Sequence, residues 1–253
     1  MADAPFEIWV GNLAAYTEQR VEGEWIPLPQ KEEVLEEAIA KISRNRKDEI
    51  IIMDYSIRSN CRFMRSYINE WDNVMELNTI ARLIGDGEHR KVEAYLDNDS
   101  GLSLSEIANL LMQEDKIPFY PYEFNGSDSF ETMENLSNEQ KMGYTLLEGD
   151  MELKSQLEAM QINGVSVLNY IDVGEIGRDY SYNSATLYKD GYYDMEAGRP
   201  NLKLYTMEEI AEQLEEREKS EEKREEAVQE EEIKTETTKE KVQHKITEKS
   251  PSI

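Results

Sequence analysis

Apolar and polar positions alternate over Phe6-Glu7-Ile8-Trp9-Val10 and then meet Gly11-Asn12. Successive strand residues face opposite sides, so this period of two predicts a half-buried strand with a turn or bulge after it. Val21 to Leu28 predicts a second strand, ended by Pro27 and Pro29. Val34, Leu35, Ala38, Ile39 and Ile42 fall at helical spacing and predict a helix over 31–43. Glu32, Glu33, Glu36 and Glu37 suit the positive end of its dipole. Ile50 to Tyr55 predicts a third strand, giving a small sheet with one helix packed on it.

The period then changes to helical. Ile68, Trp71, Val74, Met75, Leu77 and Ile80 form one apolar stripe, broken by Gly85-Asp86-Gly87. A shorter helix over 88–97 would turn Val92, Tyr95 and Leu96 inward. Ser103 and Glu106 form a capping box, in which hydroxyl and carboxylate satisfy orphan amides reciprocally, ahead of Ile107, Leu110 and Leu111. Residues 66–115 therefore read as all-helical. Pro118 to Phe124 reads as extended, with a turn at Asn125 to Asp128. One long helix is expected from Asn138 to Met160, weakened by Gly143 and Gly149 and ended by Gly164. Val165 to Asp179 reads as a further helix or pair of turns, and Tyr182 to Tyr193 as strand with a hairpin at Asp190-Gly191. Trp9, Trp25 and Trp71 are expected in the core.

Thr206 and Glu209 form another capping box, but Ile210 and Leu214 are the only early apolar residues behind it. From Arg217 onward the chain is almost entirely charged or polar. Pairs such as Glu215–Lys219 support a helix weakly, and no sustained apolar seam marks a coiled coil. The expectation is a frayed helix that loses order near Thr235. The fold class expected is α+β, with three small units in an elongated arrangement: a sheet-plus-helix unit at 1–60, a helical unit at 61–116 and a mixed unit at 117–205. A charged tail follows at 206–253.

Charge sharpens this picture. The chain has 253 residues, 54 acidic and 28 basic, for a formal net charge of −26. The tail does not account for it: residues 211–253 carry −5, and residues 1–210 carry −21. Residues 91–160 alone hold 15 acidic and 4 basic side chains. Basic residues concentrate earlier, at Lys41, Arg44, Arg46, Lys47, Arg58, Arg62 and Arg65. This sign excludes holding nucleic acid by neutralising its phosphates. The longest aliphatic run, Ile50 to Met53, is too short to span a bilayer. The first residues lack a basic region followed by an apolar one, so no signal peptide is expected. Cys61 is the sole cysteine, which leaves no internal disulfide and no cysteine-rich zinc site. A cytoplasmic location is the expectation.

The inventory for catalysis is thin. The two histidines are His89, read as solvated in a polar linker between Glu88 and Arg90, and His244, in the tail. Gly85-Asp86-Gly87-Glu88 lacks the third glycine and the preceding strand of a dinucleotide site. Asp97-Asn98-Asp99-Ser100-Gly101 resembles the start of a calcium loop, but Ala108 stands where the bidentate glutamate is needed. Paired carboxylates are inevitable among 54 acids. This inventory argues against an enzyme and offers no recognisable metal site. A dense acidic surface can instead imitate a phosphate backbone. At one charge per about 1.7 Å of duplex, the −21 of residues 1–210 would match roughly 36 Å of DNA.

Two separated motifs give this idea a definite form. Ile8-Trp9-Val10-Gly11-Asn12-Leu13-Ala14-Ala15-Tyr16-Thr17-Glu18, followed by Gly23-Glu24-Trp25-Ile26, resembles the opening of the ArdA antirestriction proteins. Ile52-Met53-Asp54-Tyr55 is similar to that family's third strand. Leu168-Asn169-Tyr170-Ile171-Asp172, with Gly177-Arg178-Asp179, is similar to its Asn-Tyr-Ile-Asp segment. The match runs loosely over 6–195 and closely at those two places. It departs at Gln19, near which the family has a turn glycine, in the basic stretch 56–65, and in the added tail.

The resemblance implies a cytoplasmic, non-catalytic product of mobile elements. It implies an elongated homodimer that imitates bent DNA. The implied partner is the methyltransferase core of type I restriction–modification enzymes, with no cofactor, no direct nucleic-acid binding and no membrane. By position, the phosphate-mimicking carboxylates would be Asp97, Asp99, Glu106, Glu114, Asp115, Glu123, Asp128, Glu131, Glu134, Glu139, Glu148, Asp150, Glu152 and Glu158. Asn169, Tyr170, Ile171, Asp172, Gly177, Arg178 and Asp179 are expected to be structural, with Arg178 clamping neighbouring carboxylates or supporting a subunit contact. The alternatives are an acidic protein directed at another basic DNA-binding partner, and a hydrolase using two carboxylates.

Overall fold

The computed structural model describes residues 4–44, 50–123, 135–220 and 223–224. The chain is α+β and divides into two compact units, Met1–Leu204 and Tyr205–Ile253. In the first, β1 (Phe6–Asn12) is the centre of an antiparallel sheet, flanked by β2 (Gly23–Leu28) and β3 (Ile50–Ile57). The period of two sets its faces: Phe6, Ile8 and Val10 are buried with Ile26 and Leu28. The other face therefore receives Trp9 and its cross-strand partner Trp25, which meet edge-on with centroids 5.7 Å apart. This corrects the expected placement of the tryptophans. Trp25 is 43% exposed, and Trp71, beyond the sheet, is 68% exposed.

The turn expected after β1 is a short helix, α1 (Leu13–Thr17), capped by Asn12. The buried Asn12 amide also donates to the Ile42 carbonyl at 2.8 Å. One side chain thus ties the strand to the end of α2 (Glu32–Ile42), which buries Leu35, Ile39 and Ile42. Pro27 does not end β2 but lies inside it, opposite Glu7. An edge strand tolerates its missing N–H.

A 3-10 helix (Ser59–Ser66) buries Cys61 and Met64. The helix proper begins only at Val74, where the Asn73 side chain accepts from the Met75 N–H at 2.9 Å. The expected continuous helical stripe is therefore interrupted before α3 (Val74–Ile84), and Ile68 is buried outside any helix. α3 ends at Gly85, whose φ of 50° suits a glycine. Within α3 the buried Asn78 accepts from the Gln30 N–H at 2.8 Å and donates to its carbonyl at 3.0 Å. α4 (Arg90–Asn98) buries Val92, Tyr95 and Leu96. α5 (Leu104–Met112) opens on the predicted capping box of Ser103 and Glu106.

A second antiparallel sheet has the order β4 (Phe119–Pro121), β8 (Gly191–Asp194), β7 (Ala185–Leu187). The single helix expected from Asn138 to Met160 is two, α6 (Asn138–Gly149) and α7 (Met151–Ala159). Asp150 ends the first and caps the second, accepting from the Leu153 N–H at 2.9 Å. Gly164 is no helix terminator: Asn163 (φ 53°) and Gly164 (φ 81°) form the turn between β5 (Gln161–Ile162) and β6 (Val165–Ser166). A 3-10 helix (Val167–Tyr170) leads to α8 (Val173–Asn183), which extends into residues read as strand. In the second unit a helix covers 207–220 and opens on the predicted Thr206–Glu209 box. Lys219 reaches Glu215 at 3.1 Å. The turn at 125–128 and the loss of order near Thr235 lie outside the described residues, as do Arg46 and Lys47.

Candidate functional site

The expected carboxylates fall into two groups, those engaged by the fold and those presented outward. At the end of α4, Asp99 accepts from the Tyr95 hydroxyl at 2.8 Å and pairs with Arg199 at 3.1 Å. Burial first, and then the bond to Asp99, push the Tyr95 hydroxyl well above its ordinary range, so it remains a donor. Asp97 is exposed and accepts from the Tyr188 hydroxyl at 3.1 Å. Thr186 donates to Asn98 at 2.7 Å, and Arg90 reaches Asp190 at 3.2 Å. These contacts fasten α4 to the β7–β8 hairpin.

Glu106 accepts from both the backbone N–H and the hydroxyl of Ser103, each at 2.8 Å. The backbone bond first, then the hydroxyl, lower its pKa below the usual carboxylate range. Glu114 holds His89, which overturns the expectation of a solvated histidine. The His89 ring is mostly buried, with one nitrogen on the Glu114 carboxylate and the other 2.8 Å from the Ile84 carbonyl. Burial disfavours its charged form. The bonds to Glu114 and Ile84 outweigh that, and the net shift is upward. Asp115 is exposed, with Lys116 at 3.2 Å. Such a pair adds little stability, about 0–1 kcal/mol.

In the third region Glu148 is half-buried and paired with Lys154 at 2.5 Å, and Asp150 is the cap already described. Glu139 sits in the first turn of α6, where a backbone N–H and then the Ser137 hydroxyl lower its pKa. Glu152 accepts from Gln156 at 3.3 Å. Glu123 and Glu158 are exposed. Asp128, Glu131 and Glu134 lie outside the described residues.

In the second motif Asp172, Gly177 and Arg178 make contacts within the fold. Asp172 caps α8, accepting from the Gly174 and Glu175 N–H groups at 3.0 and 3.3 Å. Gly177 is buried against α6. Arg178 pairs with Glu175 of its own helix at 2.5 Å. Ile171 is half-buried, while Asn169, Tyr170 and Asp179 are exposed. Around this motif, Ala159 to Ile171 contains no charged residue, in a chain that is 32% charged. Met160, Ile162, Val165 and Tyr170 of that run are exposed. Position along the sequence also left out an acidic face near the N-terminus, the exposed Glu32, Glu33, Glu36 and Glu37 of α2. Their crowding at one helix start was the available signal.

Among the described residues no group of three or more His, Cys, Asp and Glu could hold a metal ion. Among them, too, no helix is long and apolar enough to cross a membrane. Fold and surface thus define an α+β protein that presents carboxylates from short helices and their ends. A family model described as antirestriction protein (ArdA) matches residues 8–194, well over half of the chain. The chain belongs to the ArdA family of antirestriction proteins. A search of curated proteins found no match.

Proposed function

We propose that this antirestriction protein is a DNA mimic that inhibits type I restriction–modification enzymes. Its carboxylates take the place of DNA phosphates at the DNA-binding site of the methyltransferase core, blocking modification as well as cleavage. The observation that carries this reading is the charge of the body of the chain, −21 over residues 1–210, together with the exposure of Asp97, Glu106, Asp115, Glu123, Glu152 and Glu158. Opposite potentials steer association and weaken with salt. The protein needs neither catalysis nor cofactor for this, and it acts in the cytoplasm with its target. The units 1–60, 61–116 and 117–205 form successive parts of the mimic.

The same reading takes the protein as a homodimer. Two acidic copies repel, so a contact between them must be low in charge. The uncharged run Ala159 to Ile171, which exposes Met160, Ile162, Val165 and Tyr170, meets that requirement. The test is a competition titration of the full-length protein against a type I methyltransferase core bound to labelled duplex, at low and moderate salt. Displacement that weakens with salt is expected. No displacement by folded protein removes this enzyme as the target and favours another basic DNA-binding partner.

A further inference from the structure

A groove of about 420 Å³ opens where α2, β3 and the segment entering α3 meet. Its apolar lining includes Ile39 and Ile52, and Glu36, Glu70 and Asp72 bring carboxylates to it. Trp71 also lines it, with an indole 68% exposed. The segment carrying that indole is fixed. The Ile52 N–H donates to the Glu70 carbonyl at 2.9 Å, and the Asn69 N–H donates to Asp72 at 2.7 Å. The Asn73 cap follows at once. Trp71 is thus held open beside an apolar floor, a placement that contributes nothing to the core.

We propose that this groove docks a short, arginine-bearing segment of a partner protein, with an aliphatic residue beside the arginine. Among the described residues the lining contains no lysine or arginine, and the chain carries −26, so an anionic occupant is repelled. An indole face attracts a cation, and a guanidinium also stacks on it. Glu70 and Asp72 supply the opposite charge, and Ile39 and Ile52 take the aliphatic neighbour. The volume is that of a site for a small ligand or a few side chains. The groove is independent of whether the carboxylates of α4 to α7 meet a restriction enzyme.

The experiment titrates full-length protein with the blocked peptide Leu-Arg-Leu-Arg and follows the indole N–H resonance of Trp71. That signal is identified by its loss in Trp71→Phe, a change at an exposed position whose intact fold is checked by circular dichroism. A saturable shift is expected, weakened at least about threefold in Glu70→Gln/Asp72→Asn and by added salt. The neutral peptide Leu-Gln-Leu-Gln should not saturate. Three results overturn the proposal: no shift at millimolar peptide, equal binding of the neutral peptide, or a Trp71 signal that moves on dilution without peptide. The second makes the groove a purely apolar site, and the third gives it to a second copy of the chain.

Discussion

Gly143 of α6 and Gly177 of α8 meet backbone to backbone. A Cβ on Gly177 would stand 2.8 Å from the Gly143 nitrogen and 1.9 Å from the Glu139 carbonyl oxygen. One on Gly143 would stand 1.8 Å from the Val173 carbonyl oxygen. The two helices approach as closely as they do because both positions lack a side chain, and the atoms in the way are backbone that cannot swing aside.

Gly177→Ala should therefore destabilise the protein by about 1–3 kcal/mol, the usual range for overpacking, despite the better helix propensity of alanine. Gly149, also in α6, has nothing within 4 Å of its Cβ position. Gly149→Ala should be neutral or stabilising by up to about 1 kcal/mol. Thermal unfolding of the two variants checks both signs. Equal effects would sink the close-packing argument.

This pair also marks what could be read from sequence. Gly143 reads as a weakness in a helix because propensity is local, whereas its use is a contact 34 positions along the chain, at Gly177. The sheet around β1 and the capping boxes at Ser103 and Thr206 were legible, since period and spacing act within a few residues. Asn163-Gly164 is a strong local hairpin signal. It was obscured by the helical pattern before it, which assigned Gly164 to a helix end. Trp9 and Trp25 were misplaced because strand parity turns them to the face away from Phe6, Ile8 and Val10. His89 could not be placed, because its partner Glu114 is distant in sequence. Of the candidate site, sequence position gave the acidic residues but not their engagement. Asp99, Glu114 and Glu148 hold the fold together through Arg199, His89 and Lys154.

Gln19, in the turn after α1, has a φ of 61°. The left-handed region costs a residue with a Cβ roughly 1 kcal/mol. Gln19→Gly gains that term and loses some to the greater freedom of the unfolded chain. The expected result in urea unfolding is between no change and about 1 kcal/mol of stabilisation. Gln19→Val should destabilise, as a β-branched side chain resists this conformation. A stabilising valine would contradict the assigned turn.

The His89–Glu114 contact makes a signed pH prediction. The folded-state pKa of His89 is raised, so its contribution to stability is fully present below the unfolded value of about 6.5. It fades as pH rises through the raised folded value. Wild-type protein should exceed His89→Gln in Tm most at about pH 5 and least at about pH 8. A difference that grows with pH would reverse the sign and refute the assignment.

If copies meet through the uncharged run, a charge placed there should separate them. Ile162 is 52% exposed, so Ile162→Glu should fold normally. Sedimentation equilibrium should give twice the chain mass for the wild type and the chain mass for the variant. A variant that remains dimeric places the contact elsewhere.

Mimicry by many carboxylates predicts graded loss. Asp115, Glu123, Glu152 and Glu158 are exposed, and single exposed charges are worth about 0.2–1 kcal/mol. Each neutralisation to Asn or Gln should weaken inhibition by roughly 1.4- to 5-fold, and the losses should compound when all four are changed. The salt dependence of inhibition should become shallower in the same order, because fewer charges then contribute. Asp99→Asn, Glu114→Gln and Glu148→Gln should instead lower Tm first, since each breaks a partly buried pair. Inhibition titrations at two salt concentrations, with unfolding measured alongside, separate the groups. One exposed neutralisation that abolished inhibition in a folded protein would point to a single specific contact and end the case for distributed mimicry.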